Sequence, residues 1–189
     1  MKKFLTILFF KLCIITTSWS DDIKDLTIEG ISVGQSALQF YNANKIESLK
    51  RPSAYKDDSF YEVNFAGKDK YETINIAFKK SDKKYIIYSI RGWNLVDYKK
   101  CIEDKKSVVK EIKVDLKILN ERNYRNNFSN QFGTSFAMVT DLKVEGGIVR
   151  IWCDNFDKNH KVAKNWDDAI NIDLSTNEFL DWLNNKAYK

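Results

Sequence analysis

The sequence predicts an α+β protein, one antiparallel sheet packed with helices, in the order αα-βββ-α-βββ-α after a signal peptide. Two observations support this class. Apolar residues alternate with polar ones in two sets of three short segments, which is typical of antiparallel strands. The segments around and between the two sets repeat their apolar residues at helical spacing instead.

The first twenty residues have the pattern of a secretory signal peptide. A basic start is followed by an apolar run over 4–17, and Ser18 and Ser20 occupy the small-residue positions of a cleavage site. The run contains Lys11 and is shorter than the roughly 20 apolar residues that a membrane-spanning helix needs. We expect cleavage near Ser20, which leaves one exported domain, 21–189, in the periplasm or outside the cell. An uncleaved membrane anchor is the alternative.

The composition limits the classes of partner. Cleavage removes Lys2, Lys3 and Lys11, so the remaining 169 residues carry 28 basic and 26 acidic side chains and a formal net charge of +2. A domain this close to neutral gives little reason to expect nucleic-acid binding. Its length suits one domain that folds without a metal, and no later segment is apolar enough to cross a bilayer.

Two short helices and three strands are expected in the first half of the domain. The first helix is expected near Gln35–Tyr41 and the second from Asn44, which has Glu47 three positions on as in a capping box. Short polar turns join two alternating segments, Phe60–Ala66 and Tyr71–Lys79, and a third segment, Tyr85–Trp93, into a meander. The third segment is apolar on both faces, which predicts a central strand.

A long helix separates the two sets of strands. Asp97 caps it, and it is expected from Tyr98 to about Glu121, before an Asn-rich loop over 123–133. Three further strands are expected after the loop, at Ser135–Val144, Ile148–Phe156 and Ala169–Leu174.

The last helix is expected to begin at Ser175, with Glu178 completing a capping box. Its inner stripe consists of apolar residues at helical spacing: Phe179, Trp182, Leu183 and Ala187. The βββα order therefore occurs twice, which suggests an internal duplication, although the two halves do not align residue by residue.

Two cysteines remain after cleavage, Cys101 and Cys153. An even number in an oxidising compartment favours a disulfide, and both side chains are expected to face the core. The alternative is a pair of buried free thiols. The absence of a CxxC pair argues against a thioredoxin-like redox role.

A helical wheel of the long helix places a stripe of lysines beside its apolar arc. Its members are candidates for contact with an anionic surface such as lipid headgroups, a polyanionic glycan or an acidic partner: Lys106, Lys110, Lys113 and Lys117. A solvated flank, whose lysine stems cover the edge of the helix, is the alternative.

Motifs for catalysis, cofactors and metals are missing. The single histidine, His160, excludes metal sites that need several histidines, and no glycine pattern supports a nucleotide site. The oxygen-rich run over 154–160 lacks the glycine and glutamate of a calcium loop. A Cys153–His160 pair matches no protease signature. We therefore expect no cofactor and no metal.

Tryptophans provide the remaining signal for binding. Trp93 shares a predicted strand face with Arg91, and Trp152 shares one with Arg150. Such pairs can form a stacking surface for sugar rings or peptides, and ordinary packing is the alternative.

Two stretches resemble a group of small exported proteins from AT-rich marine bacterial genomes. They are the residues over 28–34, IEGISVG, and over 84–92, KYIIYSIRG, with DYKKCI after them at 97–102. This resemblance covers most of the mature chain and implies no activity. The GISVG segment is also similar to one in small envelope proteins that assist outer-membrane assembly, and it likewise assigns no functional residue.

Export, a mixed sheet and the missing catalytic motifs favour a non-enzymatic binding or interaction module of the cell envelope. Its partner would be an unknown envelope component or a small ligand. A hydrolase-type enzyme without a recognisable motif, using the His160 loop, is the alternative.

Overall fold

A computed structural model describes residues 22–51, 55–128, 133–164 and 166–189. The predicted signal segment, 1–20, lies outside the described residues. Seven antiparallel strands form one sheet, so the α+β class is confirmed: β1 Phe60–Ala66, β2 Thr73–Lys79, β3 Ile87–Leu95, β4 Asn120–Asn127, β5 Phe136–Val144, β6 Gly147–Asn155 and β7 Ala169–Thr176. Their order across the sheet is β1-β2-β3-β7-β6-β5-β4. The strand β3 is central, as predicted, and β7 joins two meanders.

In the described ranges, four α-helices accompany the sheet: α1 Ala43–Leu49, α2 Tyr98–Asp115, α3 Lys158–Lys164 and α4 Asn177–Asn185. The predicted first helix is only a 3₁₀ turn at Ala37–Gln39, and another such turn lies at Ile23–Asp25. Side chains cap the helix starts slightly away from the predicted positions. Asn42 caps α1, and Thr176, the last residue of β7, caps α4 in place of Ser175.

The end of α2 differs from the prediction. The helix stops at Asp115, and Leu116 takes an extended conformation with its side chain buried. The chain then forms β4, which pairs with β5 over eight residues where the end of the helix and the Asn-rich loop were expected. Lys117 therefore follows the helix instead of extending its lysine stripe.

The two faces of the sheet are covered differently. The core face carries a row of apolar residues across six strands: Val63, Ile76, Ile90, Leu174, Val149 and Leu142. The helices α1 and α2 and the segment before α1 pack on this face. The opposite face, here called the open face, is covered at one end by α4, where Phe179 and Trp182 pack against Phe60 and Ala77.

The Cys101 and Cys153 sulfur atoms lie 1.93 Å apart, at disulfide distance, which confirms the predicted pairing. This contact fixes α2 to β6 on the core face. The helix α4, which follows β7, packs instead on the open face. If a two-fold axis normal to the sheet related the two predicted βββα units, α2 and α4 would lie on the same face. They lie on opposite faces, so no such axis relates the units.

Candidate functional site

A cleft of about 590 Å³ lies on the part of the open face that α4 leaves uncovered. We call it the polar cleft. It is lined by residues from β1, β2, β3, β6, β7 and the segment before β7: Glu62, Asn64, Asn75, Arg91, Trp93, Leu95, Asp154, Phe156, Trp166, Asp167, Ala169 and Asn171. Its volume is within the usual range for small-molecule sites, about 300–1,000 Å³.

The strand register produces two parallel rows of side chains across the open face. One row, here called the charge ladder, takes one residue from each strand: Asn64, Asn75, Arg91, Asp173, Arg150, Asp141 and Arg122. The neighbouring aromatic row consists of Trp93, Asn171, Trp152, Val139 and Tyr124. Trp93 therefore shares a face with Arg91, and Trp152 shares one with Arg150, as their spacing predicted. Strand pairing places both pairs on the open face.

Hydrogen bonds fix the amide groups of the polar cleft. The Nδ2 of Asn75 donates to Oδ1 of Asn64 at 2.7 Å, and the Nδ2 of Asn171 donates to Oδ2 of Asp154 at 2.8 Å. Both donating residues are only 7% exposed. Because buried amides keep their place through such bonds, the cleft presents fixed donors and acceptors.

Arg91 is a charged residue of the cleft lining. One terminal nitrogen of its guanidinium lies 3.9 Å from Oε2 of Glu62, and the group lies 5.7 Å from the centre of the Trp152 ring. Its Nε is buried and has no hydrogen-bond partner among the described residues. A ligand oxygen that accepted a hydrogen bond from this N–H would therefore not have to break a hydrogen bond within the protein.

Burial shapes the electrostatics of the open face. It raises the pKa of Asp154 to about 6, against the opposing hydrogen bond from Asn171. Burial also raises the pKa of Asp173, against the attraction of Arg91. Glu62, Asp154 and Asp167 contribute three carboxyl groups to the cleft lining, and Arg91 is its only cation among the described residues. The cleft therefore does not favour anions.

Aromatic rings form one wall of the cleft. Phe156 and Trp166 meet edge to face with ring centres 5.5 Å apart, and Trp166 is half exposed. Behind them, His160 is 3% exposed, and its Nδ1 lies 3.1 Å from Oγ of Ser135. His160 supports this wall and does not itself line the cleft.

The predicted lysine stripe lies on the other side of the sheet. Lys106, Lys110 and Lys113 line a second groove, of about 600 Å³, between α2 and the strands β4 and β5. Lys117, beyond the end of α2, does not line it. The groove also contains Lys105, which sequence reasoning missed. The wheel that revealed the stripe places Lys105 within the apolar arc, four positions after Cys101.

Within the described ranges, no group of three or more histidine, cysteine or acidic side chains is arranged to hold a metal ion. Nor does any described helix have the length and apolar character needed to cross a bilayer. The sulfur of Cys153 is paired with that of Cys101, so it is no partner for His160 as a nucleophile.

Comparison with known proteins identifies no relative of this chain. No family model, no curated protein and no solved structure matches it. The resemblance to exported proteins of marine bacteria therefore stays a prediction.

Proposed function

We propose that this protein is an exported binding protein of the cell envelope and that its polar cleft binds a neutral oligosaccharide. The observation that supports the proposal is the pairing of the two rows on the open face. Aromatic rings alternate with an amide and an apolar side chain in one row, and fixed polar groups fill the next.

This arrangement suits the chemistry of a sugar chain. A pyranose ring has apolar C–H faces that pack on aromatic rings, and its hydroxyls both donate and accept hydrogen bonds. Trp93 and Trp152 are two strands apart, or roughly 10 Å, which is comparable to the length of a disaccharide unit. Asn64, Asn75 and Asn171 offer amide donors and acceptors beside them.

Charge favours a neutral ligand over an anionic one. The carboxyl groups of the cleft exceed its single guanidinium, so a phosphate or carboxylate ligand would face net repulsion. Carboxylates and guanidinium groups bind hydroxyl pairs well, since each offers two polar atoms in one plane.

Titration of the protein with neutral oligosaccharides tests the proposal. We expect one member of a panel of gluco-, manno- and chito-oligosaccharides to quench tryptophan fluorescence saturably. Trp93→Ala and Asn171→Ala should each weaken this binding at least tenfold, because each removes a group that lines the cleft. Tyr188→Ala is the control, since Tyr188 is an exposed aromatic residue outside the cleft.

Two results would count against the proposal. One is the absence of binding to every neutral oligosaccharide in the panel. The other is binding that both cleft variants leave intact, because the sugar site would then lie elsewhere.

Export is tested separately, by mass spectrometry of the full-length chain expressed in a bacterial host. The signal pattern of the first twenty residues supports cleavage, and we expect a periplasmic product that begins at Asp21. The pairing of Cys101 with Cys153 should make this product lighter by two hydrogens than the reduced chain. A full-length, reduced product in the cytoplasm would refute the export proposal and leave sugar binding open.

A hydrolase acting on the same sugar chain is the second candidate, and Asp154 is the observation that favours it. A carboxyl group with a pKa near 6 inside a ligand cleft can protonate the glycosidic oxygen as the bond between that oxygen and the sugar carbon breaks. Water then adds to the sugar carbon and gives its proton to a second carboxylate of the lining, Glu62 or Asp167. Shortening of the bound oligosaccharide, lost in Asp154→Asn, would establish this activity. If the oligosaccharide is unaltered after prolonged incubation, the cleft binds the sugar chain but does not hydrolyse it.

A further inference from the structure

The groove between α2 and the strands β4 and β5 has a mixed lining that neither proposed function uses. Its apolar part consists of Ile102, Val109, Val114 and Met138. Its polar part consists of Lys105, Lys106, Lys110, Lys113, Glu121, Asn123 and Thr140. It lies on the core-face side of the sheet, whereas the polar cleft lies on the open face.

Lys105 is the unusual residue of this groove. It is only 8% exposed, and its ammonium group donates to the carbonyl oxygen of Met138 at 3.0 Å and to Oγ1 of Thr140 at 3.2 Å. Both acceptors are neutral. Among the described residues, no carboxylate lies within 4.0 Å of its Nζ.

A buried ammonium without a counter-ion is costly, and desolvation lowers the pKa of Lys105 accordingly. An ammonium has three N–H donors, and the two bonds above use two of them. The hydroxyl of Thr140 donates onward to Oδ1 of Asn123 at 2.6 Å, so this polar floor is held in place. The described residues therefore leave one donor of Lys105 available to a ligand oxygen.

The rim of the groove adds uncompensated positive charge. Lys113 pairs with Glu121, but within the described part of the chain neither Lys106 nor Lys110 has a carboxylate within 4.0 Å. Four lysines thus face one glutamate in a groove whose remaining lining is apolar apart from Asn123 and Thr140. This charge complements an anion, and the apolar walls complement a hydrocarbon chain.

We infer that this groove binds a single-chain anionic amphiphile, a fatty-acid carboxylate, with the head group at Lys105 and the chain along Ile102, Val109 and Met138. The volume of about 600 Å³ is large enough for such a ligand. The chain's own 1–20 segment is apolar but basic. The lysines of the groove would repel it, so it is disfavoured as the occupant.

Calorimetric titration with dodecanoate, kept below its micelle-forming concentration, tests the inference. We expect saturable binding of one dodecanoate, at least tenfold weaker binding of octanoate, and at least tenfold weaker binding of uncharged dodecanol. Lys105→Met should weaken dodecanoate binding at least tenfold while the protein stays folded, because methionine retains the apolar stem. Lys99→Met is the matched control, since Lys99 lies on the same helix but outside the groove.

A second variant keeps the test valid if Lys105→Met does not fold. Val109→Trp should fill the groove and abolish dodecanoate binding with every lysine in place. Equal binding of dodecanol and dodecanoate, or binding unaffected by both groove variants, would overturn the inference. Tighter binding of an oligoglutamate peptide than of dodecanoate would also overturn it, because the groove would then be a site for an acidic protein partner.

Discussion

Asp154 illustrates how a single buried carboxyl group can couple a ligand site to stability. It lies in the polar cleft, where Asn171 is its hydrogen-bond partner and burial raises its pKa to about 6. Folding therefore favours the protonated form of this group. The stabilising effect is complete below the pKa of the unfolded chain, near 3.9, and is lost as the pH rises through about 6.

Asp154→Asn should consequently show a pH-dependent gain in stability. Asparagine preserves the shape and the acceptor for Asn171 but cannot ionise. We expect the free energy of unfolding of the variant, relative to the wild type, to be near zero at pH 4 and to rise toward about 2 kcal/mol at pH 7. Urea unfolding between these pH values measures the difference, and a difference that stays constant would contradict the prediction.

At the scale of elements, β4 is an edge strand held by charge rather than by apolar packing. Seven of its eight side chains are exposed. The side chains of Arg122 and Tyr124 donate to Oδ2 of Asp141 on β5, at 3.2 and 3.4 Å. Arg150 on β6 donates to both oxygens of the same carboxylate, at 2.6 and 3.0 Å. Asp141 thus links three strands.

Asp141→Asn should loosen this end of the sheet. The substitution leaves Arg150 without its carboxylate partner, so we expect a loss of about 2 kcal/mol in the free energy of unfolding and faster amide exchange along β4. The matched control is Asp58→Asn, whose pair with Lys80 is exposed and should contribute less than about 1 kcal/mol. Equal losses for the two variants would contradict a linking role for Asp141.

Sequence reasoning predicted the elements whose apolar pattern is regular and missed two that lack such a pattern, the strand β4 and the short helix α3. The meander β1-β2-β3 and the apolar stripe of α4 were predicted because each buries an alternating or helical set of side chains. The segment NERNYRNN has no such pattern, and it becomes β4 because β5 offers it eight backbone partners. A local pattern does not reveal a partner that lies elsewhere in the chain.

The candidate site, like the fold, was predicted only in part from the sequence. The shared face of Trp93 and Arg91 followed from alternation, whereas their meeting with Asn171 and Asp154 depends on the pairing of β3 with β7 and β6. A similar long-range contact ties Glu29 to the turn before β2. Its carboxylate accepts backbone hydrogen bonds from four successive residues, Lys68 to Tyr71. Sequence spacing alone predicts neither arrangement.

At the scale of the whole molecule, the pairing of Cys101 with Cys153 closes a loop between α2 and β6. The two cysteines are 52 residues apart, so the bond restricts the unfolded chain strongly. We expect the double variant Cys101→Ala, Cys153→Ala to lose about 3 kcal/mol in the free energy of unfolding, measured by urea titration.

Addition of a reductant should reduce the stability of the wild type by a similar amount and leave the double variant unchanged. An unfolding midpoint that is the same with and without reductant in the wild type would show that the two sulfur atoms are not bonded in solution.

The position of β7 has a consequence for how the chain acquires its structure. The last strand in the sequence lies in the middle of the sheet, between β3 and β6. Until residues 169–176 join the sheet, each meander has an unpaired inner edge, and the two halves cannot meet. Closure of the sheet is therefore a late, non-local step with a high entropic cost, which favours slow and cooperative folding. The two inner edges need protection from pairing with other chains until that step is complete.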